Sequence, residues 1–302
     1  MAATVLSLAM STVLLTMSAS AVAPSSPPSE PNTIVITGTK PSRPAIHNFI
    51  DDLTVDTEGQ IAMFEQPICP ASFGLPEDYN RIVEQRLRED AARVGLRTAG
   101  ERCDPNVIVI VADSPGPFVA ELQRQRPPMF VGLEWNQVQD VLKSNEPVRT
   151  WQSIEPRGAD GRPLERVMFT PAGPAAGNGV WFNPWTVGSR LQANIKPTLV
   201  SSFVVIGADA ADGLTLTQIA DYAAMRTLAR TRVTPAPKRR SILGLIGGAD
   251  RDRTVDQLTP WDLAYLRALY RTSNGVSAHM QQSDMASAMK RELDSREDRA
   301  PR

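Results

Sequence analysis

Four groups of residues in this chain are of types that do chemistry, and their spacing limits what that chemistry is. Histidine is scarce: only His47 and His279 occur, far apart in sequence. Zinc sites need three or four nitrogen, sulfur or carboxylate ligands at short spacing, and neither HExxH nor CxxC is present. GxSxG, the phosphate-binding P-loop and GxGxxG are absent too. Neither a metal nor a cofactor is expected. Aspartate is the second group. Asp209, Asp212 and Asp221 cluster, and Asp113 follows an apolar run. Carboxylates at strand ends can pair as acid and base when their environments separate their pKa values. The same residues also suit turns and helix amino termini, where carboxylates favour the dipole. They make no calcium loop, since alternating oxygen ligands and a distal Glu are missing.

The third group is Trp181-Phe182-Asn183-Pro184-Trp185, three aromatics in five residues inside a Gly/Pro/Ala-rich stretch. Amphipathic rings on such a loop, Trp181, Phe182 and Trp185, are what a glycan, peptide or envelope partner would contact. Folding back to plug the domain's own core is the other use of those rings. Trp135, Trp151 and Trp261 lie on patterned segments and are expected in the core. The fourth group is Cys69 and Cys103, the only cysteines. In an exported chain they are expected to pair.

These groups must be held by ordered elements. Residues 46–64 alternate loosely and suggest one or two strands before the Pro67–Pro70 corner. A helix is expected over 76–96, where Ile82, Val83, Leu87, Ala91 and Val94 recur at helical spacing and Arg81, Glu84, Arg86, Arg88 and Glu89 take the other face. Val107–Val111 is β-branched throughout and reads as a strand buried on both faces. A short helix over 118–125 stops at Pro127-Pro128. Residues 148–154 and 164–169 read as strands joined by an Asp-Gly turn, 171–188 as a long loop, 199–206 as an apolar strand and 215–229 as a helix. Thr259-Pro260-Trp261-Asp262 is a helix start, with Thr at the N-cap and Pro at N1. Met285, Met289 and Leu293 mark a last amphipathic helix.

Composition narrows the class. The 302 residues are 42% hydrophobic and 22% charged, which is ordinary for a globular protein. A formal net charge of -1 gives no electrostatic case for nucleic acid. Residues 5–17 are apolar and Ala19-Ser20-Ala21 follows with small residues, the pattern of an export signal, although the first basic residue is Lys40. No other stretch is long and apolar enough to span a bilayer. The expected organisation is a signal peptide over 1–23, an extended tether over 24–44, a single α/β (α+β) domain over 45–275 with a mixed sheet packed by several helices, and a carboxy-terminal amphipathic helix and charged tail over 276–302.

Two resemblances bear on function. Thr33-Ile34-Val35-Ile36-Thr37-Gly38-Thr39 resembles the IVVTG segment near the mature amino termini of TonB-dependent receptors of sphingomonad-type alphaproteobacteria; the chain has no room for a receptor barrel. The segments GLTLTQIADYAAMR (213–226) and LTPWDLAYLRALY (258–270) resemble those of secreted or periplasmic proteins of the same bacteria. The order of elements there is similar to a zincin-like, metalloprotease-like architecture. That resemblance puts Ala220-Asp221-Tyr222-Ala223-Ala224 where the metal-binding pentapeptide would stand, without its histidines, and so implies a pseudoenzyme. The reading that follows is an exported, periplasmic or secreted, non-catalytic protein that binds an envelope component, protein or glycan, through Trp181, Phe182 and Trp185. The alternative is a periplasmic hydrolase whose acid and base are among Asp113, Asp209, Asp212 and Asp221.

Overall fold

The β-branched run forms the middle of the molecule. A computed structural model of the chain describes residues 40–167, 180–183, 193–232, 240–246 and 255–298. In it, β3 (Val107–Ala112) lies between β2 (Pro70–Phe73) and β7 (Ile195–Gly207), parallel to both. The other edge of β7 carries β4 (Val148–Gly158), antiparallel over its whole length with a register shift between Ser153 and Ile154. Since β4 fills that edge, the two-residue β1 (Met63–Phe64) runs parallel beside the first half of β7, in line with β3. The expected mixed sheet packed by several helices is present: four parallel strands and one antiparallel. A separate antiparallel ribbon joins β5 (Glu165–Val167) to β6 (Val180–Phe182). The Asp-Gly turn after β4 therefore connects strands of two different sheets. Gly74, just after β2, has φ +91°, and a Cβ there would meet the Val111 carbonyl oxygen at 1.9 Å. Only glycine lets the chain turn there.

Strand periodicity sorts the core into two layers. Val107 and Val109 of β3, with Val204 and Ile206 of β7, face one apolar cluster; Ile108 and Ile110, with Phe203 and Val205, face the other. The larger layer contains α1 (Arg43–Leu53), α2 (Glu77–Arg93), α6 (Leu216–Thr227), α7 (Pro260–Leu269) and α8 (Ala278–Glu297). The smaller is covered by α3 (Pro115–Gln125) and α4 (Trp135–Lys143) and centred on Trp151, stacked between Phe130 and Phe203 at 4.8 and 4.9 Å. A four-residue helix, α5 (Ala208–Ala211), follows β7 directly.

Several expectations need correction. Residues 43–53 are helical, not strand, and the helix begins inside the stretch expected to be tether. Ile46, Phe49, Ile50 and Leu53 are all buried on one helical stripe, Ser42 caps the start and Pro44 sits in the first turn. Loose alternation read from a few positions hid that stripe. Trp135 is 75% exposed and is not core, whereas Trp151 is 2% exposed. Residues 180–182 form β6 within the expected loop. The expected last amphipathic helix is present, and its Met285, Met289 and Leu293 enter the same core as α1 and α7. Cys69 and Cys103 form a disulfide that ties the start of β2 to the segment between α2 and β3. No helix among the described residues is long and apolar enough to cross a membrane.

Candidate functional site

α2 is amphipathic, yet one residue of its buried stripe is charged. Val83, Leu87 and Ala91 are buried, and so is Asp90. It faces α6, which is buried along Gln218–Thr227 and carries Asp221 in its second turn. Arg86 grips Asp221 with one edge of its guanidinium, Nε to Oδ1 at 2.7 Å and Nη2 to Oδ2 at 3.0 Å. The backbone N–H of Leu258 donates to Asp221 Oδ2 at 2.5 Å. Arg86 Nε also stands 3.7 Å from Asp90 Oδ2, so both carboxyls meet the same guanidinium edge.

Asp90 Oδ2 has no hydrogen-bond partner among the described residues, and it shares the Arg86 guanidinium with the Asp221 carboxyl. Two buried carboxyls held against one cation favour the state in which one of them carries a proton. A proton on Asp90, donated to Asp221, satisfies the orphan oxygen. Burial first, and then the Asp221 charge, push the Asp90 carboxyl up to about 7, against the pull of Arg86 and Arg93. Arg86 is held more firmly protonated by its bonds to Asp221.

The other oxygen of Asp90 leads outward. Oδ1 accepts from Arg93 Nη1 at 2.8 Å. Arg93 ends α2 and reaches the wall of a groove of about 950 Å³ between α7 and α8. Arg267 donates from Nε to the Arg93 carbonyl at 2.8 Å and from Nη1 to Glu292 at 2.5 Å. Arg296 shares Glu292 at 3.2 Å. Arg271 and Arg291 also line the groove; both are exposed and have no ion-pair partner among the described residues. Five arginines thus face two acids, Asp284 and Glu292. The buried hydroxyl of Thr272 on the same wall has no hydrogen-bond partner among the described residues.

The helical period produces this wall. On α8, Gln281, Met285, Met289 and Leu293 point into the core, while Asp284, Ser287, Arg291 and Ser295 line the groove at steps of three and four. Guanidinium forks fit planar or tetrahedral oxyanions, often two bonds at a time, and stay charged at any physiological pH. Binding an anion is what such a wall can do.

The residues expected from sequence lie elsewhere. Ala112 is opposite Gly207, so Asp113 and Asp209 follow the carboxy-terminal ends of neighbouring parallel strands. Both are exposed, as is Asp212 after α5. Asp221 is parted from them in environment, wholly buried against Arg86. Ala220–Ala224, the segment the zincin resemblance singled out, is fully buried within α6. Among the described residues no three His, Cys, Asp or Glu side chains gather as metal ligands. Trp181 and Phe182 stand in β6, opposite Arg166 and Glu165, and Trp185 lies outside the described residues. Asp90, Arg93 and the groove arginines were missed. A carboxylate in the apolar stripe of α2 is the signal that could have found the pair, and Arg267 and Arg271 at i, i+4 point to one face of the groove.

Comparison with protein-family models, curated proteins and solved structures finds no match to this chain.

Proposed function

We propose that this is an exported, non-catalytic protein that binds a component of the cell envelope in the groove between α7 and α8. The observation that carries the reading is that groove, about 950 Å³ and walled by five arginines, two of them without ion-pair partners among the described residues. Its size is within the range of ligand sites. The Cys69–Cys103 disulfide supports an oxidising compartment. The test is affinity capture from solubilised envelope by the mature protein, beside Arg271→Glu/Arg291→Glu and Trp181→Ala/Trp185→Ala. A partner lost only by the arginine variant is expected. Loss only by the tryptophan variant moves the surface to the β6 segment, and no partner for any form removes the binding reading.

One observation favours the hydrolase as a second reading. Asp113 and Asp209 stand where open α/β sheets commonly bind ligands, outside the carboxyl ends of parallel strands. Hydrolysis of a chromogenic ester, glycoside or phosphoester that Asp113→Asn and Asp209→Asn each abolish would favour it; no turnover across that panel counts against it.

A further inference from the structure

The groove and the buried carboxyl pair are joined by one residue. Arg93 has one guanidinium nitrogen on Asp90 Oδ1 at 2.8 Å and lines the groove. We propose that the groove binds an oligoanion carrying several phosphate or sulfate groups, and that Asp90 takes up one proton, shared with Asp221, when the ligand engages Arg93. This rests on the groove being the binding surface.

The charges require the coupling. With Asp90 ionised, Arg93 is neutralised from behind and has less attraction left for an anion. With Asp90 protonated, its Oδ2 proton goes to Asp221, the pair keeps a single negative charge matched by Arg86, and the Arg93 charge is released to the groove. A bound anion favours that second state, and by reciprocity the second state favours the anion. The charged groups around Asp90 are Arg86, Glu89 and Arg93 from α2 and Asp221 from α6; Arg267 from α7 and Glu292 from α8 follow behind Arg93. None is a histidine, and no histidine lines the groove. Burial and the Asp221 charge bring Asp90 to about 7, where a proton is exchanged under ordinary conditions. The ligand class follows from the wall: three net positive charges spread over a space larger than one phosphate suit a sugar-sized oligoanion, free or as the headgroup of a lipid.

The test is calorimetric titration of the full mature chain with sucrose octasulfate, whose sulfates stay ionised at every pH used. Wild type is expected to bind about tenfold more tightly at pH 6 than at pH 8, a coupling of ordinary size. Asp90→Asn, whose amide copies the protonated acid, is expected to bind at pH 8 as wild type does at pH 6. Arg271→Ala/Arg291→Ala is expected to lose binding at both pH values while its circular dichroism and melting stay those of wild type. Phosphatidylcholine vesicles carrying phosphatidylinositol bisphosphate, whose ring bears several phosphates, form a second arm: sedimentation with them as well assigns a lipid-borne headgroup, and binding of the soluble sulfate alone a free oligoanion. Equal wild-type affinity at both pH values, or an undiminished pH dependence in Asp90→Asn, overturns the proton coupling and leaves the groove standing as a site. No binding of either probe at pH 6 overturns the oligoanion itself.

Discussion

Among the described residues, Asp221 and Asp262 are both wholly buried and accept backbone amides, and their remaining partners differ in charge. Asp262, in the first turn of α7, accepts the N–H groups of Ile242 and Thr259 and the Thr259 hydroxyl on Oδ2, at 2.8, 3.0 and 2.9 Å, while its buried Oδ1 has no hydrogen-bond partner among the described residues. These partners are neutral, and they belong to the cap of α7 and to a neighbouring buried turn. Asp221 has a cation, Arg86, and a second carboxyl, Asp90, instead. Burial raises the carboxyl pKa at both sites, to about 6 for Asp262 and about 7 for Asp90. The difference lies in what a change of charge reaches. Around Asp262 it reaches only the cap. Around Asp90 it reaches Arg93 and, through it, the groove. Depth of burial does not decide whether a carboxyl is a fastening or a responder; the charge and location of its partners do.

Removing each carboxyl is the strongest way to test that contrast. Asp221→Ala leaves Arg86 without its partner and strands the Leu258 N–H, and is expected to cost about 3–5 kcal/mol, as breaking buried pairs does. Asp221→Asn should cost less, since the amide oxygen still accepts. Reducing the Cys69–Cys103 bond, which closes a 34-residue separation, is expected to cost about 3 kcal/mol in the chain-entropy view. Denaturant midpoints with and without dithiothreitol measure it, and it should leave the carboxyl contrast unchanged. Asp262→Ala is expected to cost about 2 kcal/mol, from a lost N-cap partner and an orphaned Ile242 N–H, with anion binding unaffected. An Asp262→Ala variant that lost binding would break the comparison.

The pH dependence separates the two sites at smaller amplitude. Both carboxyls have folded pKa values above the ordinary 3.8, so the native state holds protons the unfolded chain has released. Their contribution is complete below pH about 4 and declines as pH rises, through about 6 for Asp262 and about 7 for Asp90. Wild-type stability in urea is therefore expected to fall between pH 4 and 7. In Asp90→Asn the fall should end near pH 6, and in Asp262→Asn the portion up to pH 7 should remain. Smallest of all, Arg271→Ala should change stability by less than about 0.5 kcal/mol, as exposed substitutions do.

Much of the scaffold was legible in the sequence. The run Val107–Val111 admits a strand buried on both faces, and it lies at the centre of the sheet with partners on each side. Thr259 and Pro260 mark the start of α7 because cap chemistry is local. The cysteine pair follows from there being only two. What local pattern cannot carry is pairing across the chain: β4 looked like one arm of a turn-linked pair and instead joins β7. The candidate site was less legible for the same reason. Asp90 and Asp221 are 131 positions apart in sequence, and only the packing of α2 on α6 makes them a pair. The groove arginines, spread over α2, α7 and α8, look one by one like solvated surface charge. Asp221 was picked out as a carboxylate near a strand end, but its partner proved to be a helix, not another of the chosen aspartates.

The most direct measurement is a carbon-13 NMR titration of the Asp90 side-chain carboxyl, assigned by comparison with Asp90→Asn, with and without sucrose octasulfate. A midpoint near 7 that moves upward when the ligand is bound is the expected result. A midpoint near 4, unmoved by ligand, would contradict a proton shared between Asp90 and Asp221 and its link to the groove.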